Sequence, residues 1–168
     1  MMHAMFNAPK AFLITFTAYG TRLHGDERGT VDDGHNAYKT PFVKTDTTLK
    51  NHRARQLVEQ PLLLDAKMRG VIEGSIRAHC AFREWHLFAI NVRTNHVHVV
   101  VKTTADAEKV AREFKAYATR ALREAGLVDN RKNVWTERAS TRFLFTDDAV
   151  TNACNYVMYS QGPDLPKA

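Results

Sequence analysis

The sequence predicts an α+β fold built on an antiparallel sheet, the ferredoxin-like split βαβ arrangement, and three observations predict it. Hydrophobic periods of two and of 3.6 residues alternate in the order strand, helix, strand, strand, helix, strand, with one more helix at the end. The two middle strands are separated only by Thr94 and Asn95, which makes them a tight hairpin. The 168 residues, 44% of them hydrophobic and 25% charged, suit a single core-bearing domain spanning 1–168.

The first strand is the β-rich run AFLITFT, Ala11 to Thr17. A polar insertion follows from Tyr19 to about Gln60, punctuated by Gly20, Gly25, Gly29, Gly34 and Pro41, and such a length without a periodic face points to a functional or partner-contacting segment. From about Pro61 to Arg83 the pattern is helical. Leu64, Met68, Val71, Ile72, Ser75, Ile76 and His79 share a stripe, and Pro61 suits a first turn. EWHLFAINVR (Glu84 to Arg93) and HVHVVVK (His96 to Lys102) form the hairpin, with Trp85 assigned to the core. A second amphipathic helix covers about Ala105 to Ala125 with Val110, Phe114, Tyr117, Ala118 and Ala121 inward, and Gly126 stops it. VWTERASTRFLF (Val134 to Phe145) supplies one or two short strands. A last helix runs from about Asp147 to Ser160 and is broken by Gly162-Pro163. This fold carries many unrelated activities, so function must come from the site.

Composition narrows the partners. Lys and Arg outnumber Asp and Glu by 24 to 18, a formal charge of +6, and a cationic chain favours polyanions. No apolar run approaches the roughly 20 residues of a membrane span, so no membrane association is expected. The opening MMHAMFNAPKAFLITFTAYG lacks the clean apolar stretch of a signal peptide, and the two cysteines, Cys80 and Cys154, form no ligand cluster. A reduced, cytoplasmic, nucleoid-associated protein is the expectation.

In His96-Val97-His98-Val99-Val100-Val101 the side chains alternate between sheet faces, so Val97, Val99 and Val101 belong to the helix-covered core and His96 and His98 to the opposite face. Two imidazoles about 7 Å apart along a rigid strand can both reach one metal ion and leave positions open for a phosphate oxygen. The same triplet is also what two solvent-facing histidines on a half-exposed strand look like. On the last helix Val150, Ala153, Cys154, Val157 and Met158 form the docking stripe. Tyr159 points almost directly away from that stripe, Tyr156 lies on its flank, and Gln161 comes round to the docked side if the helix persists.

The segments TFTAYGTRLHGDERGTVD, NVRTNHVHVVVK and NACNYVMYSQGPDL together resemble the single-tyrosine HUH transposases, the insertion-sequence-200-like group and especially the REP-associated tyrosine transposases. The resemblance covers nearly the whole chain in the right order. It implies cleavage and rejoining of single-stranded DNA through a covalent 5′-phosphotyrosine, with hairpin or single-stranded DNA as partner and Mg²⁺ or Mn²⁺ as cofactor. His96 and His98 match the metal-holding pair and Tyr156 the nucleophile, with Gln161 as candidate third ligand. The polar ligand commonly follows the tyrosine by four positions. Here it follows by five, about 140° round a regular helix. The helix must therefore loosen near Gly162, or Asn152 or Asn155 takes the place. Relatives act as monomers or as dimers, so a homodimer is one expectation.

The chemistry suits these residue types. A metal held by two neutral imidazoles keeps its positive charge and stabilises the phosphoryl transition state. A phenol, with an ordinary pKa of about 10, needs that help to become phenolate. Single-strand binding asks for cations and stacking surfaces. The candidates are Arg22 in the insertion, Arg53 and Arg55 near its end, Lys109, Arg112 and Arg120 along the second helix, and Arg142 on the last strand. Three alternatives remain: a domesticated hairpin-DNA-binding protein, an RNA-binding module, which would want exposed aromatics on the central strands, and a water-activating phosphodiesterase, which would need no tyrosine.

Overall fold

The computed structural model describes residues 7–21 and 47–162. Eight elements follow in the order β1 (Ala11–Ala18), α1 (Thr47–Arg55), α2 (Ala66–Phe82), β2 (His86–Val92), β3 (His96–Lys102), α3 (Ala107–Glu124), β4 (Trp135–Leu144) and α4 (Asp147–Tyr159). The four strands form one antiparallel sheet in the order β2-β3-β1-β4. That is the split βαβ topology the periodicity predicts.

Strand alternation divides the sheet into two faces with different coverings. Phe12, Ile14 and Phe16 of β1 and Val97, Val99 and Val101 of β3 pack with Ile72 and Ile76 of α2 and Val110, Phe114 and Ala118 of α3 in the main core. Leu13 of β1 and Val100 of β3 point the other way and meet Val150, Ala153 and Val157 of α4 in a smaller cluster. The final helix therefore roofs the histidine face, over β2 and β3.

Local chemistry fixes the element ends. The α2 helix starts at an Asp65 cap, whose carboxylate accepts from the Met68 N–H at 2.8 Å, and not at Pro61 as the sequence suggests. The chain before it is an extended strap: Leu62 N–H donates to the Tyr19 carbonyl, Leu64 N–H to that of Thr94, and both leucine side chains are buried. Those backbone bonds are spent outside the helix, which is why the helix cannot begin there. Gly126 ends α3 with φ +67, and the Leu127 N–H reaches back to the Leu122 carbonyl in a Schellman closure.

Four other expectations are corrected. The polar insertion carries a helix, α1, with almost no apolar face. Tyr117 is 41% exposed, and Leu122 takes the inward place. Met158 is likewise 48% exposed, because the docking stripe of α4 narrows to Val150, Ala153 and Val157. The last strand is one continuous ten-residue element, paired along β1 with a register shift between Phe16 and Ala18. Trp85 packs against the main core as expected. Among the described residues no helix is long and apolar enough to cross a membrane.

Candidate active site

His96 and His98 stand on β3, facing α4. The register sets His98 opposite Thr15 of β1 and Asn91 of β2, and His96 opposite Thr17. The strand spacing of about 7 Å closes to 4.5 Å between ring centroids because the two side chains lean together. His98 is buried and His96 half-buried.

Each ring is held by a neighbour. Thr15 Oγ1 lies 2.7 Å from His98 Nδ1, and Asn95 Oδ1 lies 2.6 Å from His96 Nδ1. A carboxamide oxygen only accepts, so a neutral His96 ring can donate to one of two amide oxygens and not to both. The second oxygen is that of Gln161, 3.3 Å from His96 Nε2. Gln161 is turned this way by its own amide N–H, which donates to the Tyr156 carbonyl at 2.8 Å. Two acceptor lone pairs then confront each other, an arrangement that repels unless a cation or a second imidazole proton lies between.

The tyrosine arrives from α4. Its N-terminus is set by the Thr146 cap on the Ala149 N–H and by the Lys10–Asp147 ion pair at 2.8 Å. At the other end Asn91 Nδ2 donates to the Val157 carbonyl at 2.8 Å, and Arg93 donates to the Gly162 carbonyl. Between these anchors the Tyr156 ring stands 5.6 Å from the His98 ring, at 69° to it, and remains 45% exposed. Tyr159 is 82% exposed and turned away. The helix closes at Ser160, and Gly162 takes φ +65, so the chain loosens as the position of Gln161 requires. Asn152 and Asn155 are exposed on α4, and Asn155 lines a cavity of about 610 Å³ with Lys10, Phe88 and Lys102.

The structure thus brings His96, His98, Tyr156 and Gln161 of one chain together, and Arg142 shares their sheet face, opposite Leu13. Lys109, Arg112 and Arg120 are exposed on α3, which covers the opposite face, and Arg120 is paired to Glu124. Arg55 is exposed at the end of α1, and Arg53 lies on the same helix. Arg22 lies outside the described residues, as do His24, Arg28 and the HGDERG segment. Thr15, Asn95 and Asn91 went unnoticed at the level of sequence. Asn95 reads there only as a turn residue, although its place beside His96 was a usable signal.

The comparisons decide the family. A family model described as transposase, IS200-like, matches residues 50–158. The chain belongs to the IS200-like transposases. Among solved structures, this transposase chain is similar to a REP-associated tyrosine transposase bound to a REP hairpin, with 14% identity, a TM-score of 0.49, and coverage of 94% of this chain and 70% of that one. It is also similar to a chain from Deinococcus radiodurans R1 solved as a transposase candidate, with 7% identity, a TM-score of 0.51, and coverage of 94% and 95%. The second likeness supports the shared fold. No curated protein matches the chain.

Proposed function

We propose that this transposase cleaves and rejoins single-stranded DNA at hairpin-associated sites through a 5′-phosphotyrosine on Tyr156, with a divalent metal held by His96, His98 and Gln161. The observation that carries this reading is the approach of the Tyr156 ring to 5.6 Å from His98 on the face where His96 and Gln161 meet.

Two imidazole nitrogens and an amide oxygen would hold a divalent cation such as Mn²⁺, and His96 Nε2 already stands 3.3 Å from Gln161 Oε1. Among the described residues no group of three or more His, Cys, Asp and Glu gathers, so an amide oxygen as third donor suits the site. When bound, the cation supplies positive charge that polarises a phosphoryl oxygen and favours phenolate.

The chain's own groups do the rest. Thr15 and Asn95 hold the imidazoles in orientation, and Asn91 fixes the pitch of α4 through the Val157 carbonyl. The phenol loses its proton to solvent and its oxygen attacks phosphorus. The bond from phosphorus to the 3′ oxygen breaks, and that oxygen takes up a proton as a free 3′-hydroxyl. One phosphodiester replaces another, so the energy of the broken bond is kept and rejoining needs no nucleotide cofactor. A 3′-hydroxyl attacking the tyrosyl ester reverses the step.

The test uses labelled single-stranded hairpin DNA with Mn²⁺ or Mg²⁺, resolved on a denaturing gel. Wild type yields a protease-sensitive adduct. Tyr156→Phe yields none but still shifts the DNA on a native gel, and His96→Ala with His98→Ala abolishes cleavage with binding largely retained. An undiminished adduct in Tyr156→Phe overturns the nucleophile, and metal-dependent cleavage by the histidine variant overturns the ligand set. DNA binding without any adduct in wild type identifies a protein that recognises hairpins without cutting them.

A further inference from the structure

Past its last turn the α4 helix is held from outside. Its closing hydrogen bond runs from the Ser160 N–H to the Tyr156 carbonyl at 3.1 Å, and among the described residues the ladder ends there. The final carbonyls carry the negative end of the helix dipole, yet the last turn contains no basic residue. The donors come from β2 and the residue after it. Asn91 lies opposite His98, and Arg93, two positions on, shares its side of the sheet. Asn91 donates to the Val157 carbonyl at 2.8 Å, and the Arg93 guanidinium donates to that of Gly162.

The second of these grips bears on the candidate metal site. Gln161 sits between Ser160, where the helix closes, and Gly162, whose carbonyl Arg93 holds. The Gln161 side chain is turned toward His96 by its own bond to the Tyr156 carbonyl at 2.8 Å. Gly162 turns the chain at φ +65, and a glycine has a wide choice of backbone angles, so without Arg93 this turn is tethered on one side only. Arg93 itself is half-buried and firmly mounted. Its N–H donates to the His96 carbonyl at 2.8 Å, closing the hairpin. The turn beside it is clasped by the Leu64 N–H on the Thr94 carbonyl at 2.7 Å and by the Ala18 N–H on that of Asn95 at 2.8 Å. One arginine thus ties the backbone around Gln161 to the same turn that leads into His96.

We infer that Arg93 is a positioning residue of the metal site, holding the Gly162 carbonyl so that the Gln161 amide oxygen stays beside His96 Nε2. This rests on the reading of His96, His98 and Gln161 as a ligand set, and adds the residue that keeps the third ligand in place. A charged fork of N–H donors suits the task, because it bonds a carbonyl at the negative end of a helix that supplies no cation of its own.

The test is calorimetric titration of full-length protein with Mn²⁺, for wild type, Arg93→Ala, Arg93→Lys, Gln161→Ala, and Arg93→Ala combined with Gln161→Ala. Arg93→Ala weakens Mn²⁺ binding about tenfold, the loss expected when a partner that orients a ligand is removed. Arg93→Lys, which keeps a charged donor, recovers most of that loss. The double variant binds no more weakly than Gln161→Ala, because a residue that acts through Gln161 then has nothing left to hold. In metal-free protein, hydrogen exchange at the Ser160 amide rises in Arg93→Ala while the Val99 amide in the sheet stays as in wild type, which shows the fold intact. Unchanged Mn²⁺ affinity in Arg93→Ala, or losses that multiply in the double variant, overturns the inference. So does an Arg93→Ala protein whose only defect is weaker binding of labelled hairpin DNA, since the arginine is then a phosphate contact. Wild type that binds no Mn²⁺ overturns the ligand set itself, an outcome distinct from wild-type binding that Arg93→Ala leaves unaltered.

Discussion

Two buried histidines lie on opposite faces of this molecule, and their neighbours give them opposite work. His79 of α2, 4% exposed, hydrogen-bonds to Glu113 of α3 at 2.7 Å, stacks on Tyr117 and meets Trp85 and Phe114 edge-on. Glu113 is engaged a second time by Arg83, at 2.8 Å. Burial pushes the Glu113 carboxyl up, but the His79 hydrogen bond and the Arg83 charge outweigh it and hold it below the ordinary carboxylate range. His98, 6% exposed, has a threonine hydroxyl on one side, a second imidazole and a phenol on the others, and no carboxylate among its described partners. A carboxylate anchors the histidine within the fold. A hydroxyl orients the ring and brings no charge of its own. The α2–α3 face therefore ties its histidine into the core, and the α4 face carries the candidate site.

Substitutions that should trade stability against activity sharpen that contrast. The largest effect is expected at Val99, fully buried between the sheet and its helices. Val99→Asp places a carboxylate in that core and costs on the order of 5 kcal/mol, most of a domain's stability; circular dichroism melts should show an unfolded or barely folded chain. Next comes Asn95→Ala on the other face, which leaves the melt within about 1 kcal/mol of wild type but weakens Mn²⁺ binding about 10- to 100-fold, as removal of an orienting partner does. Isothermal titration checks it, and unaltered affinity would break the contrast.

On the helical face Glu113→Ala strands His79 without its acceptor and costs roughly 2 kcal/mol, with adduct formation unchanged once the protein is folded. The wild-type pair also has a pH signature. Because the Glu113 carboxyl is held below its ordinary value of 4.5, its contribution is complete above that value and fades as the pH falls through the lowered pKa. Urea melts between pH 3 and 6 should show wild type losing stability toward acid more steeply than Glu113→Gln. The smallest expected change is Thr146→Ala, which removes the α4 cap and costs about 1 kcal/mol. Since α4 carries Tyr156, hydrogen exchange at Ala149 and Val150 should rise in this variant before the sheet amides respond.

The sheet and its three packed helices were legible because alternation in β1 and β3 and the stripes of α2 and α3 are strong, local signals. Pro61 misled because its fixed φ suits an extended strap as well as a first helical turn, and only the Asp65 cap distinguishes them. His96, His98 and Tyr156 could be picked out from motif and helix angle, and the Gln161 contact hinged on loosening at Gly162, whose φ of +65 a glycine accommodates readily. What periodicity could not supply were contacts across distant chain: Thr15 meets His98 over 83 positions and Asn91 meets Val157 over 66. Nor could charge alone assign a face, so Lys109, Arg112 and Arg120 were grouped with Arg142 although the sheet lies between them.

The central claim is that Tyr156, and not its neighbour Tyr159 on the same helix, joins the histidine pair. Peptide mapping of the protein–DNA adduct by mass spectrometry tests it most directly. The expected result is a nucleotide-modified Tyr156 in wild type, with no modified peptide from His96→Ala with His98→Ala. Modification at Tyr159, or an undiminished yield from the histidine variant, would contradict it.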